Sequence, residues 1–287
     1  NLILAMNCYL CNATKFIKRK GQVRDNPELK ILECLSCGLV ALNSHDHLRV
    51  GHYENSGMHE DDNQTMEMWF SETAEDDQRR FDTLRASLLN NKVLDFGCGN
   101  GGFLLHAETI AMNVAGVELE KRVQKHYKGR LNIFPSIENI IGEYDLITAF
   151  HVIEHLPNPK EILKKLAGHL LPKGRLIIEV PSSDDALLTF YDCNAFQNFT
   201  YWSEHLFLYN EKTLAMLAEK VGLKTLSIEY EQRYPLSNHL YWLSQGQPGG
   251  HKEWKSLNSP DLNDEYAKAL VKIGKSDTVI GVFEKEN

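Results

Sequence analysis

The residues best suited to bind a small molecule lie between positions 92 and 105, in the stretch K-V-L-D-F-G-C-G-N-G-G-F-L-L. Residues 93–96 form a short apolar run with one acid, Asp95, which is typical of a buried parallel strand. Several glycines follow, and from Phe103 apolar residues recur at helical spacing. A strand, a glycine turn and a helix in this order predict the first unit of a doubly wound α/β sheet, with a ligand at the carboxyl end of the strand.

The glycine turn fits two binding templates. Its glycines are Gly97, Gly99, Gly101 and Gly102. The first, second and fourth match the G-x-G-x-x-G of dinucleotide binders, whereas the first three match the G-x-G-x-G of S-adenosylmethionine (SAM) binders. Glu118, at the end of the next predicted strand, suits both because a carboxylate there accepts both hydroxyls of a ribose. Asp95 favours SAM, since a carboxylate repels a pyrophosphate and attracts an ammonium and a sulfonium. A tight turn without a ligand is the alternative.

The α/β alternation continues regularly after this turn. Strands are predicted at residues 113–118, 131–134, 144–150 and 175–181, and a helix between the last two carries Ile162, Leu163, Leu166 and Leu170 on one face. Two further strands are predicted at residues 223–230 and 277–283.

With the glycine turn, the run Y-D-L-I-T-A-F-H-V-I-E-H-L-P-N-P resembles the class I SAM-dependent methyltransferases over roughly residues 90–230. The resemblance implies an α/β fold with a seven-stranded, doubly wound, Rossmann-like sheet whose last strand is antiparallel. It also implies SAM as cofactor and S-adenosylhomocysteine (SAH) as product. The candidate cofactor-binding residues are Asp95, Gly97, Gly99, Asn100, Gly101, Glu118, Leu119, Ser136, Ile137, Phe150 and His151.

Four of the six cysteines form two C-x2-C pairs and are the candidate metal ligands. They are Cys8, Cys11, Cys34 and Cys37. Two such pairs suit a closed, tetrahedral structural zinc, and strand-like segments at residues 15–18 and 30–33 complete the pattern of a zinc ribbon. Disulfides or scattered core cysteines are the alternatives. The remaining two, Cys98 and Cys193, are expected to be small packing residues.

A zinc ribbon ahead of such a domain is similar to the sugar methyltransferases that act on nucleotide-linked deoxysugars and to relatives found with surface-polysaccharide genes. The segment Y-W-S-E-H-L-F-L-Y at residues 201–209 resembles one that those families share. This resemblance implies substrate-side chemistry at Tyr53, His155, Glu204 and His205. His205 is the first candidate for the general base and His155 the second. Alternatively, Tyr53 anchors its loop and His155 caps the loop after the fourth strand.

Composition indicates an ordinary globular chain. Of its 287 residues, 43% are hydrophobic and 24% charged, and the formal net charge of −8 argues against a nucleic-acid partner. The opening residues 2–6 are too short for a signal peptide or a membrane span, so we expect a cytoplasmic location.

We expect a zinc ribbon at residues 6–42, a lid and helical linker at 43–90, and a methyltransferase domain at 91–287.

The methyltransferase domain should contain an insertion at about residues 233–274, with a helix near 263–273. Its tyrosine, tryptophan, asparagine, histidine and arginine residues suit a sugar or nucleotide, because aromatic rings stack while amides and imidazoles bind hydroxyls. A packing element or a homodimer contact is the alternative use of this insertion.

Three functions therefore remain open. The first is transfer of a methyl group to a sugar or nucleotide-sugar. The second is small-molecule O-methylation of the quinone-precursor or acyl-thioester type. The polar insertion argues against this function, because an apolar substrate needs an apolar groove. The third is a non-catalytic, SAM-binding regulatory protein.

Overall fold

The structure is a computed structural model that describes the backbone of residues 2–3 and the whole of residues 7–48 and 65–286. Tyr53, the predicted substrate-side tyrosine, lies outside the described residues, as do His52 and His59. Within the described part, the chain forms two sheets and a set of covering helices.

The strands in chain order are β1 (Leu2–Ile3), β2 (Phe16–Lys18), β3 (Ile31–Cys34), β4 (Val40–Leu42), β5 (Lys92–Phe96), β6 (Asn113–Val117), β7 (Asn132–Phe134), β8 (Tyr144–Phe150), β9 (Leu170–Pro181), β10 (Phe207–Leu208), β11 (Leu223–Glu231) and β12 (Thr278–Lys285). The helices are α1 (Met66–Leu88), α2 (Gly102–Ala107), α3 (Lys121–His126), α4 (Pro159–Gly168), α5 (Ala186–Thr189), α6 (Asn194–Thr200), α7 (Glu211–Glu219), α8 (Leu236–Gln245), α9 (Gly250–Glu253) and α10 (Pro260–Lys272).

The main sheet has seven strands in the order β11-β12-β9-β8-β5-β6-β7. The central pairs β9-β8, β8-β5, β5-β6 and β6-β7 are parallel, whereas β12 is antiparallel to both β9 and β11. This arrangement confirms the predicted seven-stranded α/β fold and its antiparallel seventh strand. Because β5, β6, β7 and β8 run in the same direction, their carboxyl ends lie at one edge of the sheet, where a ligand is expected.

The second sheet contains the two cysteine pairs and has the order β1-β2-β3-β4-β10. Its last strand, Phe207–Leu208, belongs to the chain after the main parallel strands and pairs with β4. The backbone N–H of Leu42 also donates to the carbonyl of Leu206, at 3.1 Å. The largest hydrophobic cluster accordingly runs from Phe16 of the small sheet to Ile147 of the main sheet. The small sheet is therefore joined to the main sheet by both backbone pairing and a shared core.

One expectation about local structure was wrong in detail. Leu170 does not lie on the helix with Leu163 and Leu166, because α4 ends at Gly168 and Leu170 begins β9 opposite Tyr144. Within the segment expected as a lid and helical linker, residues 43–90, α1 begins at Met66. Thr65 caps that helix by accepting from the N–H of Met68.

The insertion is largely helical and packs against the sheet. It contains α8 and α9 in addition to the predicted last helix, which is α10. The sequence did not indicate α8, whose buried face includes the polar residues Asn238 and His239 and therefore lacks a purely apolar stripe. Over the described residues, no helix combines the length and apolar character needed to cross a bilayer.

Candidate functional site

A cavity of about 670 Å³ lies at the carboxyl ends of the parallel strands. Ten of the eleven predicted cofactor-binding residues line it, and they come from the ends of β5, β6, β7 and β8. Gly101 is the exception. The volume is within the usual range for small-molecule sites, about 300–1,000 Å³. The alternation of strands and helices therefore brings together residues that are up to 56 positions apart, from Asp95 to His151.

The glycine turn is held in a conformation that side chains rarely adopt. Gly97, Gly99 and Gly101 all have positive φ, at 74°, 52° and 81°. Gly101 packs against Tyr127, whose ring would lie 2.8 Å from an added Cβ, and so supports the turn from behind. Asn100 lines the cavity but its side chain is already engaged, since its amide donates to Thr73 and its oxygen accepts from the N–H of Gly102. It holds the turn against α1.

Asp95 is 3% exposed at the end of β5, and its Oδ1 accepts a hydrogen bond of 2.7 Å from the Thr148 hydroxyl. Burial raises the pKa of Asp95 to about 7, although the hydrogen bond from Thr148 and the charge of Arg80 act in the opposite direction. A carboxyl group with this pKa is half ionised near neutral pH. A cation placed beside it would favour the ionised form.

Glu118 follows β6 and faces the glycine turn. Its carboxylate accepts from the backbone N–H groups of Gly99, at 2.9 Å, and Glu120, at 3.0 Å. Burial raises the pKa of Glu118, and these backbone donors oppose the shift. The two hydrogen bonds fix the carboxylate at the rim of the cavity, where its remaining lone pairs suit neighbouring hydroxyls.

Helix α1 supplies one wall of the cavity that the sequence analysis did not identify. The lining residues from α1 are Trp69, Glu72, Thr73, Asp76, Asp77 and Arg80. Their three- and four-residue spacing is the signal that could have revealed them, because it puts an aromatic ring and several polar groups on one helix face. For this segment the sequence predicted a helix without site residues.

A buried group of charges ties α1 to the sheet. Glu179 of β9 is 1% exposed and accepts from the guanidinium groups of Arg79 and Arg80, at 2.9 and 2.8 Å. These donors, together with His151, hold the pKa of Glu179 well below its usual range despite its burial. Arg80 also lies over the ring of Phe150, 4.6 Å from its centroid. The charge of one buried carboxylate therefore holds two arginines, of which Arg80 lines the cavity.

His151 and Arg233 stand between the large cavity and a second one of about 320 Å³, and both residues line both cavities. An Arg233 Nη1–H group points at His151 Nε2, 3.0 Å away. Arg233 also pairs with Asp76. His151 has a φ of 54°, and its backbone N–H donates to the Glu179 carbonyl at 2.8 Å. His151, a predicted cofactor-binding residue, lines the large cavity, and Arg233 of the insertion was not among the predicted site residues.

The predicted substrate-side histidines lie together. The ring centroids of His155 and His205 are 4.9 Å apart, and His155 Nδ1 bonds the backbone carbonyl of Glu204 at 2.9 Å. His155 lines the large cavity and His205 the second one. Burial, followed by the nearby His155, lowers the pKa of His205 to about 3. Burial therefore favours the neutral form of the His205 imidazole.

The four cysteines of the small sheet converge. The Sγ atoms of Cys8 and Cys37 are 3.5 Å apart, those of Cys11 and Cys34 are 3.6 Å apart, and all four lie within 4.8 Å of one another. Thiolates around a tetrahedral zinc at about 2.3 Å are separated by roughly 3.8 Å, so the arrangement fits that ion.

The two cysteine pairs have similar backbone turns. Asn12 and Gly38, which follow the pairs, have φ values of 60° and 89°. Their N–H groups donate to the carbonyls of Cys8 and Cys34, both at 2.9 Å. Two turns of this kind direct each pair of thiols toward the same point, as a zinc ribbon requires.

The chain belongs to a methyltransferase family, since residues 58–228 match the family described as "Methyltransferase domain". This match supports the predicted SAM-dependent methyltransferase. The matched range contains the glycine turn, Asp95 and Glu118, and the boundary histidines His151, His155 and His205.

Several curated relatives are ubiquinone biosynthesis O-methyltransferases. The protein of Dechloromonas aromatica is 29% identical over 105 residues, which are 32% of this chain and 45% of the relative. That of Saccharomyces cerevisiae is mitochondrial and 33% identical over 109 residues, or 32% and 34% of the two chains. That of Bordetella avium is 25% identical over 181 residues, or 56% and 73%. The chain thus spans less than half the length of the first of these relatives.

Solved structures show the same fold. A SAM dependent methyltransferase from Archaeoglobus fulgidus superposes with a TM-score of 0.50 and 17% identity, covering 77% of this chain and 100% of that one. A chain from a Haloferax volcanii complex between the Trm112 methyltransferase activator and a methyltransferase gives a TM-score of 0.51 at 12% identity, covering 77% and 96%. These similarities concern the fold alone.

The Glu179→Gln substitution should lower the free energy of unfolding by about 3 kcal/mol, because it leaves the buried guanidinium groups of Arg79 and Arg80 without their counter-charge. Urea denaturation measures this change. Glu229→Gln, at an exposed position of β11, is the matched control and should change stability by less than about 0.5 kcal/mol. Similar values for the two variants would contradict the role given to Glu179.

Proposed function

We propose that this methyltransferase transfers the methyl group of SAM to a hydroxyl oxygen of a small, ring-containing molecule. The observation that carries the proposal is the junction of two cavities at His151 and Arg233. The larger cavity has the carboxylates and glycine turn for the cofactor, and the smaller one has an aromatic wall for an acceptor. A reaction between two bound molecules needs such adjoining sites.

In this proposal SAM lies in the larger cavity. Glu118 accepts hydrogen bonds from the ribose hydroxyls, and Asp95 attracts the positive charge of the methionine part. Ser136 and Ile137, which line the same cavity, lie beside the adenine. His151, at the boundary, lies on the side from which the acceptor approaches the methyl group.

The acceptor lies in the second cavity. Phe196 and Trp242 stack there in a T-shaped pair with centroids 5.2 Å apart, and Leu187 and Leu188 add aliphatic surface. Apolar side chains around a few polar groups suit a substituted aromatic ring. The names of the curated relatives support transfer to oxygen, although the match covers only part of each chain.

A sugar or nucleotide-sugar acceptor is the second candidate, and the polar part of the same cavity favours it. Asn238, His239 and His251 line this part and come from the insertion. Amide and imidazole groups bind sugar hydroxyls well. The N-terminal cysteine cluster also agrees with the resemblance to sugar methyltransferases.

The protein's part in the chemistry is mainly alignment and exclusion of water. The acceptor oxygen attacks the methyl carbon in line with the breaking S–C bond, and the electron pair of that bond remains on sulfur as SAH forms. The transfer combines a negative oxygen with a positive sulfonium, so a dry cavity favours it. The proton of the acceptor hydroxyl must leave before or during the attack.

We also propose that Cys8, Cys11, Cys34 and Cys37 hold a structural Zn²⁺. Four thiol ligands leave no open coordination position, so this ion would stabilise the small sheet and take no part in methyl transfer. The knuckle that contains Cys8 and Cys11 is tied to α4, because Lys160 donates to the carbonyl of Tyr9 at 3.0 Å. Metal binding would therefore also steady the helix that follows β8.

The acceptor class is tested by supplying SAM with two panels of compounds and detecting methylated products by mass spectrometry. One panel contains phenols and catechols, and the other contains nucleoside diphosphate sugars. We expect methylation of a phenolic oxygen. Methylation confined to the sugar panel would replace the main proposal with the second candidate. Transfer to neither panel by protein that binds SAH would contradict both.

Cys34→Ser should remove one equivalent of zinc per chain and lower the melting temperature sharply, because metal binding contributes directly to the stability of such a site. Metal analysis and calorimetry measure the two effects. Cys193→Ser is the matched control, since Cys193 is buried outside the cluster. Equal zinc contents in the two variants would overturn the assignment.

A further inference from the structure

One group of possible metal ligands lies outside the cysteine cluster, at the boundary between the two cavities. It consists of Glu154, His155 and His205, whose ligand atoms all lie within 4.8 Å of one another. Glu154 is fully buried and His155 is 8% exposed. Among the residues that the structure describes, only this group and the four cysteines bring three or more possible ligand atoms this close together.

The Glu154 carboxylate is fully buried, and its ionic contact is with His151. Within the described part of the chain, neither of its oxygens has a hydrogen-bond partner. His151 Nδ1 lies 3.3 Å from Oε1, which is an ionic contact without hydrogen-bond geometry. A buried carboxylate without hydrogen bonds is costly unless a cation compensates it.

The two histidines present their rings in a form that suits a metal. His155 Nδ1 bonds the carbonyl oxygen of Glu204, which can only accept, so the ring proton is on Nδ1 and the lone pair is on Nε2. A backbone carbonyl that fixes the tautomer in this way is a common support for metal-binding histidines. His205 packs against both His155 and Trp202, with ring centroids 4.9 and 5.6 Å away.

The backbone holds the three residues on connected elements. Glu154 and His155 lie on a 3₁₀ turn, Ile153–His155, directly after β8. The N–H of Leu206, next to His205, donates to the carbonyl of Glu154 at 2.9 Å. Ligand atoms that share one ion at about 2.1 Å lie roughly 3 Å apart, so binding would draw the three side chains inward while this hydrogen bond keeps their backbones together.

We propose that Glu154, His155 and His205 bind a divalent cation that holds the acceptor oxygen next to the cofactor. The inference rests on the proposed function, because His155 lines the cofactor cavity and His205 the acceptor cavity. Two imidazoles and one carboxylate leave open positions on a six-coordinate ion. Those positions suit an acceptor with two adjacent oxygens, such as a catechol or a vicinal diol.

This site gives the histidines a role other than proton transfer. A cation bound to the acceptor hydroxyl lowers its pKa, so that its proton passes to water and the remaining oxygen anion forms the new C–O bond. The S–CH₃ bond breaks and its electron pair stays on sulfur. The positive sulfonium and the negative oxygen thus give a neutral thioether and a neutral ether.

Manganese binding to the full-length chain with its zinc retained tests the proposal. Mn²⁺ prefers oxygen and nitrogen over thiolate ligands, so it should not compete for the cysteine cluster. We expect one Mn²⁺ per chain by electron paramagnetic resonance. Glu154→Gln and His205→Ala should each raise its dissociation constant at least tenfold. His169→Ala should leave it unchanged, because His169 lies beside Tyr144 at the opposite end of β8.

SAH binding, measured on the same samples, distinguishes failure of the cation site from failure of the proposed function. Retention of SAH by the variants would show that they fold, so a loss of Mn²⁺ alone supports the site. Wild-type protein that binds SAH but not Mn²⁺, or binds Mn²⁺ as tightly in both variants, overturns the cation site and leaves the proposed function intact. Wild-type protein that binds neither overturns both.

Discussion

The buried carboxylate of Glu179 is the interaction on which the arrangement of the site depends most. It lies at the carboxyl-terminal part of β9, beneath the guanidinium groups of Arg79 and Arg80, and its backbone carbonyl accepts from His151. A charge this deep in the protein is tolerated only if its partners stay in place. The same requirement fixes α1 over the cavity and holds His151 at the boundary with the acceptor. Arg233 extends the network into the insertion through Asp76.

The site is assembled from segments with different tasks. The parallel strands provide the cofactor cavity, which belongs to the fold as a whole, whereas the insertion lines much of the acceptor cavity. The small sheet is connected to the acceptor cavity, because its edge strand Phe207–Leu208 begins two residues after His205. A metal bound at the cysteine cluster would therefore also stabilise the acceptor cavity. This link gives the N-terminal cysteines a physical reason to accompany the catalytic domain.

The sequence predicted the parts of the molecule that local patterns determine. The strand, glycine turn and Glu118 could be located because each has a fixed spacing, and the cysteine pairs could be located for the same reason. Arg233 could not be assigned, since its position depends on tertiary packing between distant segments. The polar face of α1 was missed although its helical spacing could have indicated it. Leu170 was placed on the wrong element because an apolar residue at helical spacing also suits a buried strand. The cluster of Glu154 with two histidines was missed because His205 lies far along the chain from the adjacent pair Glu154 and His155.

The most direct test of the cofactor site is the pH dependence of SAH affinity, measured by calorimetry. Asp95 faces Arg80, which favours its ionised form, and Asp77 and Glu118, which oppose it; burial dominates and raises its pKa to about 7. The ammonium of SAH favours the ionised carboxylate, so affinity should rise about tenfold from about pH 6 to about pH 8, with a proton released on binding. Asp95→Asn should remove this dependence. An affinity that is independent of pH, or that varies equally in the variant, would contradict the placement of the cofactor beside Asp95.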